Sequence, residues 1–74
     1  MSAPKNRVAQ VNARLKRLGR AERLTRGRGY YFWRHAFAWP SVYVFRAADL
    51  SLADWMREVN ANLAAEARDR AAGF

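Results

Sequence analysis

The sequence predicts an α+β fold in which a basic helix, a two-stranded antiparallel hairpin and a second helix follow one another in one domain. Three patterns predict it. Apolar residues recur at helical spacing in Val8, Val11, Leu15 and Leu18. Two runs rich in aromatic and β-branched residues, 30–35 and 41–47, alternate in the manner of strands. Ser51 followed by Asp54 opens a second apolar stripe with a helix-start signature.

The first helix is expected over residues 4–18. Its apolar stripe is narrow, and Lys5, Arg7, Asn12, Arg14, Lys16 and Arg17 fill the rest of its surface. Pro4 suits a first turn behind Ser2 or Ala3 as cap, and Gly19 suits the position just past the end. Residues 19–29 read as a basic connection, with Leu24 tucked into the core and Gly27 and Gly29 as breakers. The hairpin is expected over residues 30–47. In its first strand Tyr30, Phe32 and Arg34 share one face, and Tyr31, Trp33 and His35 the other. In its second strand Val42, Val44 and Arg46 lie opposite Tyr43 and Phe45. Residues 36–40 form the turn, where Pro40 has no N–H to offer a ladder.

The second helix is expected over residues 51–71. Ser51 and Asp54 make a capping pair, Leu50 and Trp55 a hydrophobic staple, and Leu52, Trp55, Met56, Val59 and Leu63 the buried stripe. Glu66 and Arg70 stand four apart in the favourable order for an ion pair. Both helices are expected on one face of the hairpin. The other face keeps aromatics, and pairing two hairpins side by side across a homodimer would give a four-stranded sheet.

The chain has 74 residues and no cysteine. One thin core, worth about 3–5 kcal/mol, must therefore hold it without disulfide or thiolate metal site. A hydrophobic fraction of 51% and an aromatic fraction of 14% argue against disorder. Arginines interrupt every apolar stretch, so no membrane span is expected, and Met1 to Arg7 contains no apolar run of a secretory signal. A cytoplasmic location follows as the expectation.

Charge is the feature that bears on function. The net charge is +8 at pH 7, and residues 1–28 alone hold nine basic side chains against one acid, Glu22. Eight aromatics follow between Tyr30 and Phe45. Cations running into aromatics suit a polyanion with stackable rings. Arg14, Lys16, Arg17, Arg20, Arg23, Arg26 and Arg28 are the candidate phosphate contacts, because guanidinium groups bind phosphate oxygens in pairs and no acids on the first helix offset them. The plainer reading is a solvated basic surface whose glycines only shape the hairpin.

Most of the aromatics must be core. Trp39, beside Pro40 in the turn, is the first candidate for an exposed ring, with Tyr31 and Trp33 as further candidates for stacking or partner contact. His35 is the single histidine and has no metal-ligand companions, so no metal or cofactor is expected. Asp54 and Glu58 read as a helix cap and a solvent-facing acid. No nucleotide-binding glycine motif or nucleophile elbow is present, which points away from an enzyme.

The strings Leu24-Thr25-Arg26-Gly27-Arg28-Gly29-Tyr30-Tyr31-Phe32-Trp33, Trp39-Pro40-Ser41-Val42-Tyr43-Val44-Phe45 and Leu50-Ser51-Leu52 with Trp55 resemble small uncharacterised proteins of bacteria and their phages. The resemblance spans residues 11–60 and implies a bacterial or prophage origin and a cytoplasmic site of action. It transfers no activity and no site residue. The expectation is therefore a small, non-enzymatic, mostly sequence-nonspecific binder of DNA or RNA. The alternative is a phage- or bacteria-encoded inhibitor or regulator that grips an acidic protein with hairpin aromatics and steering arginines. A membrane-surface role is disfavoured, because the basic helix has no aromatic anchor on its apolar stripe.

Overall fold

A computed structural model of the chain describes residues 6–36 and 38–73. Helix α1 spans Arg7–Arg17, strand β1 Arg23–Arg26, strand β2 Tyr31–Arg34 and helix α2 Leu52–Ala71; a short 3-10 helix, Ala47–Asp49, precedes α2. The α+β class and the helix–hairpin–helix order are as expected, with the helices packed against the hairpin. The strands of that hairpin are not the expected pair.

Helix α1 begins later than the sequence suggested. Asn6 has extended backbone angles, and its Oδ1 accepts from the Ala9 N–H at 2.7 Å. A side-chain acceptor placed there closes the first turn, so Asn6 caps the helix. The expected cap at Ser2 or Ala3 and the turn at Pro4 lie outside the described residues. The other end behaves as predicted. Gly19 has φ +73°, the Arg20 N–H donates to the Leu15 carbonyl at 2.9 Å, and the Gly19 N–H donates to Lys16 at 3.0 Å. This pair of bonds is the Schellman arrangement, which needs a left-handed residue at Gly19.

The first strand falls inside the presumed connection. β1 pairs antiparallel with β2, Leu24 opposite Trp33 and Arg26 opposite Tyr31. The Gly27 N–H donates to the Tyr30 carbonyl at 2.8 Å, leaving Arg28 and Gly29 at the tip, where Gly29 takes φ +75°. The outer edge of β1 is occupied by one side chain. Asn12 Nδ2 donates to the Leu24 carbonyl at 3.1 Å, while the Leu24 N–H donates to Asn12 Oδ1 at 2.7 Å. The carboxamide thus imitates one residue of a third strand and ties the sheet to α1.

Residues 41–47, the expected second strand, contribute one bridge. Tyr31 and Val42 exchange both backbone hydrogen bonds at 2.8 Å. In that register Trp33 faces Pro40, which has no N–H, and Gly29 faces Val44 from within the hairpin tip. The ladder is blocked on both sides. The predicted alternation of side chains survives without it: Val42 and Val44 pack on the core, while Tyr43 and Phe45 face out. Asn12 thus occupies the outer edge of β1 at Leu24, and Val42 the outer edge of β2 at Tyr31.

Helix α2 starts as read. Ser51 Oγ accepts from the Asp54 N–H at 3.0 Å, and the Asp54 carboxylate accepts from the Ser51 N–H at 3.4 Å. The core joins Val11 and Leu15 of α1, Leu24, Tyr31 and Trp33 of the hairpin, and Trp39, Ala47, Trp55 and Val59. Its aromatic rings meet edge to face: Tyr31 and Trp55 at 5.8 Å, Trp33 and Trp39 at 5.3 Å, Trp33 and Trp55 at 6.0 Å. Two of these rings also fix Ala47. Its N–H donates to the Tyr31 hydroxyl at 2.9 Å, and its carbonyl accepts from Trp55 Nε1 at 2.7 Å. No helix among the described residues is long and apolar enough to cross a membrane.

Candidate nucleic-acid interface

The fold separates the seven predicted phosphate ligands into three groups. Arg20 is committed elsewhere. Its Nε and Nη2 donate to the two carboxylate oxygens of Glu22 at 3.0 and 2.7 Å, and Nη2 also reaches Glu66 of α2 at 3.1 Å. The Schellman turn places Arg20 beside Glu22, so the basic connection carries its own counter-charge. Arg23 turns its Nη1 onto the carbonyls of Arg20 at 2.6 Å and Glu22 at 2.7 Å. Both arginines are thus held by acceptors within the protein.

Glu22 is buried although charged. Burial alone pushes its carboxyl up. Hydrogen bonds from Arg20 and from its own backbone N–H, with the charges of Arg20 and Arg23, outweigh that and hold it below the ordinary carboxylate range. The same hydrogen bond from Arg20 to Glu22, despite some desolvation, raises the guanidinium above its ordinary value. Glu66 completes the network by accepting from the Trp39 indole Nε1 at 2.9 Å. It is therefore engaged with the core side of α2, not with Arg70 as the spacing suggested, and Arg70 is exposed.

The remaining five cations are exposed, and none has an ion-pair or hydrogen-bond partner among the described residues. Arg14 and Arg17 stand on the flank of α1 away from its buried stripe. Lys16 stands on the opposite flank of the same helix. Arg26 and Arg28 sit at the hairpin tip.

The predicted stacking rings are all buried. Trp39 is 6% exposed, Tyr31 and Trp33 4% each. Proximity to Pro40 suggested an exposed loop for Trp39, but Glu66 gives its N–H a partner and Trp33 gives its ring a packing surface. The exposed rings are others. Tyr43 is 79% and Phe45 84% exposed.

These rings belong to an outer surface of mixed character. Because Tyr31 and Trp33 point inward, Phe32 and Arg34 point outward, opposite Thr25 and Arg23 of β1. Tyr30 lies between Phe32 at 6.1 Å and Tyr43 at 6.0 Å, with the rings tilted by about 40°. Tyr30 also covers Gly27 so closely that a Cβ there would stand 2.5 Å from the ring. Gly27 is thus required for the ring's position rather than for its own φ. Arg34 is exposed on this surface and Arg46 is exposed where residues 45–48 meet the N-terminal turn of α1; neither was among the predicted phosphate ligands. The signal was the strand alternation itself, which assigns Arg34 to the face of Phe32 and Tyr30.

Among the described residues no three His, Cys, Asp or Glu side chains come together as a metal site. Asp54 caps α2 and pairs with Arg57 at 3.2 Å. The chain matches no family model, no curated protein and no solved structure.

Proposed function

We propose that this protein is a small, non-enzymatic nucleic-acid-binding protein that holds single strands with little regard to sequence. Arg26, Arg28, Arg34 and Arg46 neutralise phosphates, and Phe32, Tyr30, Tyr43 and Phe45 receive bases. One observation carries the reading: the guanidinium groups of Arg26, Arg28, Arg34 and Arg46 are exposed with no ion-pair or hydrogen-bond partner among the described residues, and Arg26 and Arg46 line one groove with the exposed Phe45 ring. Exposed rings favour unpaired bases over duplex, because stacking needs a free base face.

A salt-titrated binding assay on single-stranded DNA, RNA and duplex DNA tests it. With about four phosphates contacted, log K for a single strand should fall against log salt with slope about −3. Arg26→Ala with Arg28→Ala should flatten that slope by about 1.4. Binding that ignores salt, or is absent at low salt, refutes the reading. The exposure of Leu18, Tyr43 and Phe45 supports a second reading, a protein-interaction module that binds an acidic partner. One partner retained after nuclease treatment, and lost with Phe45→Ala, would move the function to that class.

A further inference from the structure

The N-terminal turn of α1, the end of β1 and residues 45–48 enclose a groove of about 800 Å³. Arg7, Arg26 and Arg46 line it, together with Gln10, Tyr31 and Phe45, and no carboxylate among the described residues does. The three arginines come from three separate parts of the chain, so it is the fold that collects them. Arg7 Nη1 donates to Gln10 Oε1 at 2.8 Å, while its buried Nε–H has no acceptor among the described residues. The first turn of α1 carries no acidic residue, so the positive end of the helix adds to the same field.

We infer that this groove holds a nucleotide by a terminal phosphate, with the base laid on Phe45. The inference rests on the nucleic-acid reading and names the part of the ligand the groove takes. An internal phosphodiester carries one negative charge. A terminal phosphate monoester carries about −1.5 to −2 at pH 7 and three strong acceptor oxygens. Three guanidiniums in one groove overmatch the diester and suit the monoester, with Arg26 and Arg46 exposed and able to offer paired N–H donors and Arg7 adding its charge. The volume points the same way: sites of about 300–1,000 Å³ take whole small molecules, and phosphate alone would leave most of the space empty. A phosphorylated strand end and a free nucleoside monophosphate present the same chemistry.

The test uses the full chain and two 3′-labelled oligothymidylates that differ only in a 5′-phosphate or 5′-hydroxyl, titrated by fluorescence anisotropy at one low salt concentration. The phosphorylated strand should bind about tenfold tighter or more, the worth of a charge-assisted contact. Arg46→Gln should erase that preference, costing the phosphorylated strand about tenfold more affinity than it costs the hydroxyl strand. Phe45→Ala should weaken the phosphorylated strand by a similar factor. Both residues are exposed, so neither change threatens folding. Thymidine monophosphate added as competitor separates the sources. Displacement only at far higher concentration than the strand supports the strand end; displacement at comparable concentration, lost in Arg46→Gln, supports a free nucleotide in the same groove. Equal affinity for the two strands overturns the groove assignment and leaves the nucleic-acid reading standing. Failure of both strands to bind overturns both readings.

Discussion

Replacing Asn12 with alanine should remove the attachment of β1 to α1. Two hydrogen bonds join the Asn12 carboxamide to the Leu24 backbone, at 2.7 and 3.1 Å, and Leu24 is only 2% exposed. Each bond is worth about 1 kcal/mol net, and each backbone group left without a partner in a buried place costs about 1–3 kcal/mol. Some water will reach this strand edge, so about 2 kcal/mol is the expected loss. In a domain holding about 3–5 kcal/mol that is close to half. The thermal midpoint should fall by about 8–16 °C, at about 4–8 °C per kcal/mol for a chain of this size. Urea unfolding followed by circular dichroism measures the loss, and amide exchange should show selective deprotection at Leu24. Asn12→Asp is the sharper variant. It keeps the acceptor but sets a second oxygen against the Leu24 carbonyl, so it should be at least as damaging as alanine. A loss under about 0.5 kcal/mol for Asn12→Ala, or an Asn12→Asp protein as stable as the parent, would show that the strand edge is satisfied by something else.

Two further predictions concern the core and its charges. Glu22 titrates below its unfolded value, so its contribution is fully present above the unfolded carboxyl range and is lost as pH falls through the depressed folded value. Urea midpoints should therefore decline in acid, and Arg20→Gln should make that decline shallower; an unchanged acid slope in Arg20→Gln would remove Arg20 as the cause. Trp55→Phe orphans the buried Ala47 carbonyl, whereas the Trp33 indole N–H has no partner among the described residues. Trp55→Phe should cost about 1–3 kcal/mol more than Trp33→Phe by denaturant titration, and equal costs would contradict the assigned hydrogen bond.

What could be read from the sequence was what short-range chemistry decides. The Ser51–Asp54 box, the Gly19 turn and the inward placement of Leu24 each depend on residues within a few positions, and each stands as expected. β1 was hidden because its inward face shows one apolar residue, Leu24, among charged neighbours, and its edge partner Asn12 is twelve residues away. Asn12 itself looked like one more polar residue on a basic helix. Trp39 was misplaced for the same reason: the acceptor of its N–H lies 27 residues on, across the core. The basic segment as a region was plain, but its useful members were not. Arg20 and Arg23 differ from Arg26 and Arg28 only through where Glu22, Glu66 and two carbonyls come to lie.

All three tryptophans of the chain are buried in one cluster, ring against ring through Trp33. None stands among the rings turned outward. Indole emission from this molecule will accordingly follow the integrity of the interior and stay nearly silent when a ligand settles over Tyr43 and Phe45. A spectral shift on adding a candidate ligand would then mean rearrangement rather than occupancy, and the two events could be told apart in one cuvette without a label.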